Sequence, residues 1–464
     1  MLPTCYASSP TSMDATTRRL AHYAAKVRFD QLPCEAVHEC RRRLIDSIAC
    51  AAAAYPEPFC VRIRAFTGRH AGTPSARVWG SGAQTSVEMA AFANGTMLRY
   101  LDYSDTYLGK AAGHPSDMIG ALVAVAEAFN SDGASLVVAT VVAYEIYCGL
   151  CDAIALQGRG IDQATCAAAG AAVGAARLLH LCEEQVGQAL SLALASNLNL
   201  YNVRTGTLSD WKGCAGPNGA RNGVFAALLA RDGITGPTAV VDGKGGLQEV
   251  LGSFDWRVGE GAMPTLVNTH LKFHPVCYHG QSAIDAALAL RDMVALDAIN
   301  EIHVETYDTS YRVMGSDPER WAPTTRETAD HSLPYTIAVA LQEGQLAPEA
   351  YADERLGDSR TRWIMERIRV SSSEQMTAGF PGRSQTRLTI RAVDGSIYTH
   401  LQENPKGNAS NPLSDAELED KFVRLYPPWG DAKAARRTLD MLWSVDRLPQ
   451  AAELVDALCD VPRP

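Results

Sequence analysis

Glu301-Ile302-His303-Val304-Glu305-Thr306-Tyr307 alternates polar and apolar residues with period two. That is the pattern of a half-buried strand, and it is the first such stretch in the chain. Before about residue 270 the apolar residues recur instead at helical spacing. Residues 39–55 carry Leu44, Ile45, Ile48, Ala51 and Ala52 on one helical face. Thr85-Ser86-Val87-Glu88 fits a capping box that opens a helix towards Tyr100. Pro115-Ser116-Asp117 opens another over residues 118–130, with Ser116 as its expected N-cap. Residues 135–156, 162–179 and 183–197 continue in the same manner, rich in the small Ala and Gly that suit close helix packing. Beyond Glu301 come further strand patterns at 367–371, 386–392 and 396–401, the last two flanking an Asp394-Gly395 turn. Helical patterns at 280–293 and 332–341 lie among them. At Ser414-Asp415-Ala416-Glu417 a second capping box returns the chain to helices.

These signals predict a mainly α protein with two domains. A large all-helical domain takes residues 1–268 plus 406–464, and a smaller α+β lid domain, residues 269–405, is inserted into it. The length of 464 residues agrees, because single hydrophobic cores stop growing well before that size.

With 47% apolar and 20% charged residues, the chain has ample material for burial. The net charge of -10 disfavours a nucleic-acid partner, which calls for a basic face. No run approaches the ~18 apolar residues of a membrane span; residues 120–129 come nearest and are interrupted by Glu127. The stretch from Cys5 to Thr17 has no apolar segment of the secretory kind and reads as a loose tail. Twelve scattered cysteines are too few for a disulfide scaffold and predict reduced thiols in a cytoplasmic protein. Cys148 and Cys151 form a lone C-x-x-C inside an apolar helical segment, where core packing is the expected role. Lysine is scarce: 8 Lys against 34 Arg make up the 42 basic residues. Each lysine in an apolar or Gly-rich setting therefore needs a reason.

Four clusters are candidates for chemistry. The first is Leu101-Asp102-Tyr103-Ser104-Asp105-Thr106-Tyr107 followed by Gly113-His114-Pro115-Ser116. Two acids, a Thr and a His in one loop exceed what a turn needs. A His beside a helix N-terminus can contact a carboxylate or move a proton near neutral pH. The second, Ser209-Asp210-Trp211-Lys212-Gly213, places Lys212 just before an expected helix start, where it can hold a carboxylate or act as a base. The third, from Leu271 to Gln281 at the expected domain junction, contains Lys272, His274, Cys277 and His279. Their spacing matches no closed zinc pattern, so no metal is expected and anion binding is preferred. The fourth, Thr325 to Tyr335, contains Arg326, Asp330, His331, Ser332 and Tyr335. Arg326 suits a carboxylate fork, and His331 and Tyr335 are proton donors. Asp330 and Ser332 read as N-caps. Nucleotide signals are weak, since the glycines at 213–219 and 243–246 match neither a dinucleotide fingerprint nor a phosphate loop.

The segments 101–106, 113–117, 211–213, 272–281, 330–335 and 411–415, in this order, resemble the MmgE/PrpD family. Its members include 2-methylcitrate dehydratases, with cis-aconitate decarboxylases and iminodisuccinate epimerases as relatives. The resemblance implies a helical domain with an inserted lid, an active site in the cleft between them, a homodimer, and no metal or organic cofactor. By motif, Asp102, Thr106, His114, Lys212, Lys272 and Tyr335 match family active-site positions. Asp162 and Cys277 stand where the decarboxylase branch has His, which favours a dehydratase. The expectation is a cofactor-independent hydro-lyase of propionate catabolism acting on a small hydroxy di- or tricarboxylate. Asp102, His114, Lys212, Lys272 and Tyr335 are its candidate catalytic residues, with His114 or Lys212 as the base. Thr106, Asp162, Cys277, His279, Arg326 and His331 are candidates for substrate binding. The alternatives are a decarboxylase, a dicarboxylate epimerase, and a carboxylate-binding protein without turnover.

Overall fold

Small residues set how closely the helices approach. In the computed structural model, which describes residues 13–459, helix Ala164–Leu178 packs between helices Gly133–Ala153 and Trp211–Arg231. A Cβ at Gly219 would stand 2.2 Å from the carbonyl oxygen of Ala164. No side chain fits there, so backbone meets backbone. Helix Gly133–Ala153 is long and apolar enough to cross a membrane, and 83% of its most apolar window is buried in the protein. Its apolarity is that of a core helix surrounded by other helices. The segment that comes nearest to a membrane span is thus this helix, and not residues 120–129.

One hydrophobic core draws on both ends of the chain, from Leu20 through Leu271 and again from Leu413 to Leu458. A second is built from residues between Val276 and Ala392. The second contains a four-stranded sheet in the order Ile368–Ser372, Ile299–Thr306, Thr386–Ala392, Ile397–Gln402. The first pair is parallel and the others antiparallel. Ile302 and Val304 face the core while Glu301 and His303 face solvent, as the period-two pattern predicts. The Asp394-Gly395 hairpin forms, with Gly395 in the left-handed region at φ 89°. Helices Gln281–Arg291 and Leu333–Glu343 support the sheet-bearing core. The protein is accordingly mostly helical with few strands.

Several local expectations change. Helix Ala15–Lys26, capped by Asp14, takes up the last residues of the expected tail; the rest of that stretch lies outside the described residues. Ser86, not Thr85, caps helix Val87–Tyr100 by accepting from the Met89 N–H, while the Thr85 hydroxyl is turned to the Thr67 and His70 carbonyls. Ser116 caps no helix. Residues Pro115–Met118 form a 3-10 turn, and the α-helix starts only at Ile119. Ser116 instead donates its backbone N–H to Asp105 Oδ1 at 3.0 Å. Lys212 lies inside the first turn of helix Trp211–Arg231, which continues through Pro217. The capping box at Ser414 and Glu417 forms as expected, and the eleven cysteines among the described residues are all free thiols.

Candidate active site

Two chain segments cross to found the site. Thr106 and His270 form an isolated antiparallel bridge, with N···O distances of 2.8 and 2.7 Å. It lays the 101–107 loop against the 270–277 segment, so the first and third sequence clusters become neighbours. Asp102 leaves the end of helix Val87–Tyr100 with φ 49°. Left-handed backbone is uncommon outside glycine but tolerated by Asp, and such positions collect at functional sites.

That turn delivers the Asp102 carboxylate into a buried charge array. Its Oδ1 accepts from Arg99 Nη1 at 2.8 Å and from Lys272 Nζ at 2.5 Å. Lys212 Nζ lies 3.4 Å from Oδ2. Lys212 also donates to both oxygens of Asp330, at 2.7 and 2.8 Å. His331 Nδ1 stands 2.6 Å from Asp330 Oδ1. Burial opposes the charge on Asp102, but Arg99, Lys272 and Lys212 outweigh it and hold the carboxyl well below its ordinary range. Asp330 is lowered in the same way, burial being overcome by Lys212 and His331. Asp102, Asp330 and His331 bring metal-ligand atoms within 4.8 Å of one another. The ammonium of Lys212 already occupies the cation position between the two carboxylates, so the donor set fits a lysine rather than a resident metal. His274 pairs with Asp285 and His279 with Tyr307, so the histidines of the third cluster do not converge on one point.

A cavity of about 520 Å³ opens beside this array. Of the sequence candidates, Thr106, His114, Asp162, Cys277, His279 and His331 line it. Asp102, Lys212 and Lys272 lie behind that wall, each at most 2% exposed. The two lysines are therefore partners of buried acids. Asp330 likewise joins the ion-pair array, whereas Ser332 does cap helix Leu333–Glu343. Tyr335 and Arg326 are not part of the cavity wall. Three residues beyond its cap, Tyr335 enters the sheet-bearing core and donates its hydroxyl to the Ala350 carbonyl at 2.5 Å. The Arg326 guanidinium lies against the rings of Tyr100 and Tyr351, at 5.3 and 5.1 Å, and donates to the Pro348 carbonyl.

His114 has a defined tautomer. Its Nδ1 is 2.7 Å from the carbonyl oxygen of Asp105, which can only accept, so Nδ1 carries the hydrogen. The lone pair is left on Nε2, 4.0 Å from Asp102 Oδ1. Burial, with Arg99 and Lys272 nearby, lowers the His114 pKa well below the ordinary value. His331 is the opposite case. Burial and Lys212 work against its charge, but Cys277 and Asp330 prevail and raise its pKa. Burial raises the Cys277 thiol, yet His331 more than offsets it and the net shift is downward. The site therefore pairs a neutral imidazole with one disposed to carry a proton.

Sequence reasoning missed several cavity residues. Arg99, Arg204, Arg312 and Arg320 join Lys110 on the wall, against the acids Asp162 and Asp317. Arg204 is bound to Asp162 at 2.9 and 3.3 Å. These arginines belong to no recognisable motif in a chain of 34, so nothing local marks them. Asp117, the last residue of the 113–117 segment, is a further acid of this region. It is fully buried with its carboxyl pushed up to about 6 by burial, and a Cβ at Gly216 would come within 1.8 Å of its Oδ2.

Residues 18–257 match the MmgE/PrpD N-terminal domain, and residues 274–447 match the MmgE/PrpD C-terminal domain. A 2-methylcitrate dehydratase of Salmonella typhimurium is 27% identical, the alignment covering 92% of each chain. Another from Cupriavidus necator is 27% identical over 84% of this chain and 86% of its own. An alkylcitrate dehydratase from a fungal species is 27% identical over 72% of each.

Proposed function

The chain belongs to the MmgE/PrpD family, and from that membership we propose that it is a hydro-lyase that dehydrates a 2-methylcitrate-like hydroxy tricarboxylate. The observation that carries the mechanism is the fixed tautomer of His114, which presents an unprotonated Nε2. Nε2 removes the proton α to a carboxylate, and the electron pair passes into an enolate-like carboxylate. The cationic wall, with Arg99 and Arg204 set beside the cavity, stabilises that charge without moving to meet it. The pair then returns to form the C=C bond as the β C–O bond breaks. His331 gives its proton to the departing hydroxide, so water leaves with the alkene. Exchange with solvent restores both histidines.

Of the two candidate bases, His114 is preferred to Lys212. The Lys212 Nζ is engaged by both oxygens of Asp330 and has no free approach to a carbon acid. Lys212 and Lys272 instead hold Asp102 and Asp330 in place. Acid and base both come from the chain, so the reaction as drawn calls for no organic cofactor or metal. We further propose that the protein is cytoplasmic and a homodimer; light scattering of the purified protein reads the oligomeric state directly.

The test is turnover of 2-methylcitrate by the wild type and by His114→Gln and His331→Gln. Loss of ~10²-fold or more in kcat/KM is expected from each. Near-normal rates in both variants would refute the assignment. Incubation with cis-aconitate and iminodisuccinate in D₂O, followed by NMR, separates the related reactions. Deuterium uptake without elimination would mark an epimerase, and loss of CO₂ a decarboxylase.

A further inference from the structure

Most cationic groups on the cavity wall have a protein counter-charge. Arg99 is bound to Asp102, Arg204 to Asp162, and Arg312 to Asp308 at 2.6 Å. Among the described residues Lys110 has no acid within 4 Å, but it is exposed to water and donates to the Ala153 carbonyl at 3.3 Å. Arg320 differs from all of these. It is 2% exposed, and its Nε and Nη1 have no hydrogen-bond partner among the described residues. Among the described residues, no carboxylate lies within 4 Å of its guanidinium. Asp317, three residues earlier, also lines the cavity but makes no ion pair with it.

A buried guanidinium without a counter-charge is costly, and each such group in a folded protein calls for an explanation. Other buried arginines with an unsatisfied Nε retain a partner elsewhere on the fork. Arg42 has Asp415 and the Leu413 carbonyl; Arg326 has the Pro348 carbonyl. Arg320 has neither, although its backbone is well anchored. It sits in the 3-10 turn Pro318–Trp321, whose chain is fixed by Ser332 Oγ donating to the Arg320 carbonyl. Trp321 Nε1 donates to the Gly315 carbonyl at 2.9 Å on the other side. The head group is thus held ready on a rigid turn, with planar N–H groups matched to a carboxylate.

We infer that Arg320 is a specificity residue that receives the substrate carboxylate furthest from the reacting carbons, so that the site selects tricarboxylates over dicarboxylates. This rests on the dehydratase reading for the identity of the substrate class. Arg99, Arg204 and Arg312 each share their charge with a protein acid, Asp102, Asp162 and Asp308. Arg320 supplies the one buried charge that a third carboxylate would complete. The inference also predicts that the ligand-free protein tolerates removal of this charge.

The experiment measures calorimetric binding of propane-1,2,3-tricarboxylate, which has no hydroxyl to lose, and of glutarate. It uses the full-length wild type, Arg320→Gln and Arg320→Lys. Hydrogen bonds to charged groups are worth enough that Arg320→Gln should weaken tricarboxylate binding about 10- to 100-fold. Glutarate affinity should stay close to the wild-type value. Arg320→Lys should recover part of the loss, because a point charge replaces the fork. The ligand-free melting temperature of Arg320→Gln should equal or exceed that of the wild type. An equal loss for both ligands, no loss for either, a lowered ligand-free melting temperature, or a wild type that does not bind the tricarboxylate would each overturn the inference. Binding does not require turnover, so the two readings fail separately. Arg320-dependent tricarboxylate binding without dehydration would refute only the dehydratase. Normal dehydration by a variant with unchanged binding would refute only the role of Arg320.

Discussion

The helical core and the sheet-bearing core come to the site with different equipment. From the helical side come Arg99, Asp102, His114, Asp162, Lys212 and Arg204. From the chain that leads into and builds the other side come Lys272, Cys277, Arg320, Asp330 and His331. Two lysines cross the seam in opposite senses. Lys212 reaches Asp330, and Lys272 reaches Asp102. Each lysine finds its shortest ion pair in the other half, so charge ties the two halves together. In the proposed reaction the base lies on one side and the acid on the other. The lesson is that the ion pairs that close the seam also fix the separation of the two histidines.

The largest effect should come from removing the acid at the centre of this exchange. Asp102→Ala leaves Arg99, Lys272 and Lys212 as buried cations with a lost partner. Breaking such a pair costs about 3–5 kcal/mol, which denaturant unfolding measures, and activity should fall with it. A stable, active Asp102→Ala protein would show that the seam does not depend on charge. Next comes a double-mutant cycle of Lys212→Met and Asp330→Asn. If the crossing contact couples the halves, the stability changes should depart from additivity by about 1–3 kcal/mol. Additive changes would leave the two halves independent.

A third prediction concerns pH and the sheet-bearing side. His279, which donates to or accepts from Tyr307 OH at 2.8 Å, has its pKa lowered to about 3, first by burial and then by His331 and Lys272. A histidine whose folded pKa lies below its unfolded value of about 6.5 contributes stability above pH 6.5. That contribution is lost as pH falls towards 3, because the unfolded chain takes up the proton first. Between pH 6.5 and 5 the loss should be about 2 kcal/mol at 1.36 kcal/mol per unit. Melting curves across that range should therefore be flatter for His279→Gln. An unchanged slope would place the acid sensitivity elsewhere, with His270, lowered to about 4 by burial and Arg43, as the next group to examine. The smallest effect belongs to Tyr335→Phe. Loss of its bond to Ala350 should cost about 1 kcal/mol of stability and leave kcat/KM unaltered. A large drop in turnover with stability intact would return Tyr335 to the site.

Much of this protein can be read from local pattern. Period-two alternation at 301–307 and the Asp394-Gly395 turn identify the sheet, because side-chain direction in a strand and turn chemistry depend on near neighbours in sequence. The polar clusters at 101–117, 271–281 and 325–335 mark the site for a similar reason: dense charge in apolar surroundings needs a cause. Pattern does not say which way a side chain points after a turn. Tyr335 stands in a conspicuous motif, yet its position one helical turn past Ser332 directs it into the core. Ser116 looks like a cap, but a 3-10 turn intervenes and gives its N–H to Asp105.

What the sequence determined by itself is the set of elements and the chemistry available to them, since helix spacing, capping residues and turn glycines act within a few residues. The scarcity of lysine also sets Lys212 and Lys272 apart, and both are buried. Only the tertiary structure decided what those lysines do. Each is matched to an acid 118 or 170 residues away, across a seam between two cores. The same is true of His114, whose usable nitrogen is chosen by a carbonyl nine residues distant, and of Arg320, whose lack of a partner is a property of everything packed around it. Ionisation and charge pairing depend on distance and burial, and those exist only once the chain has folded.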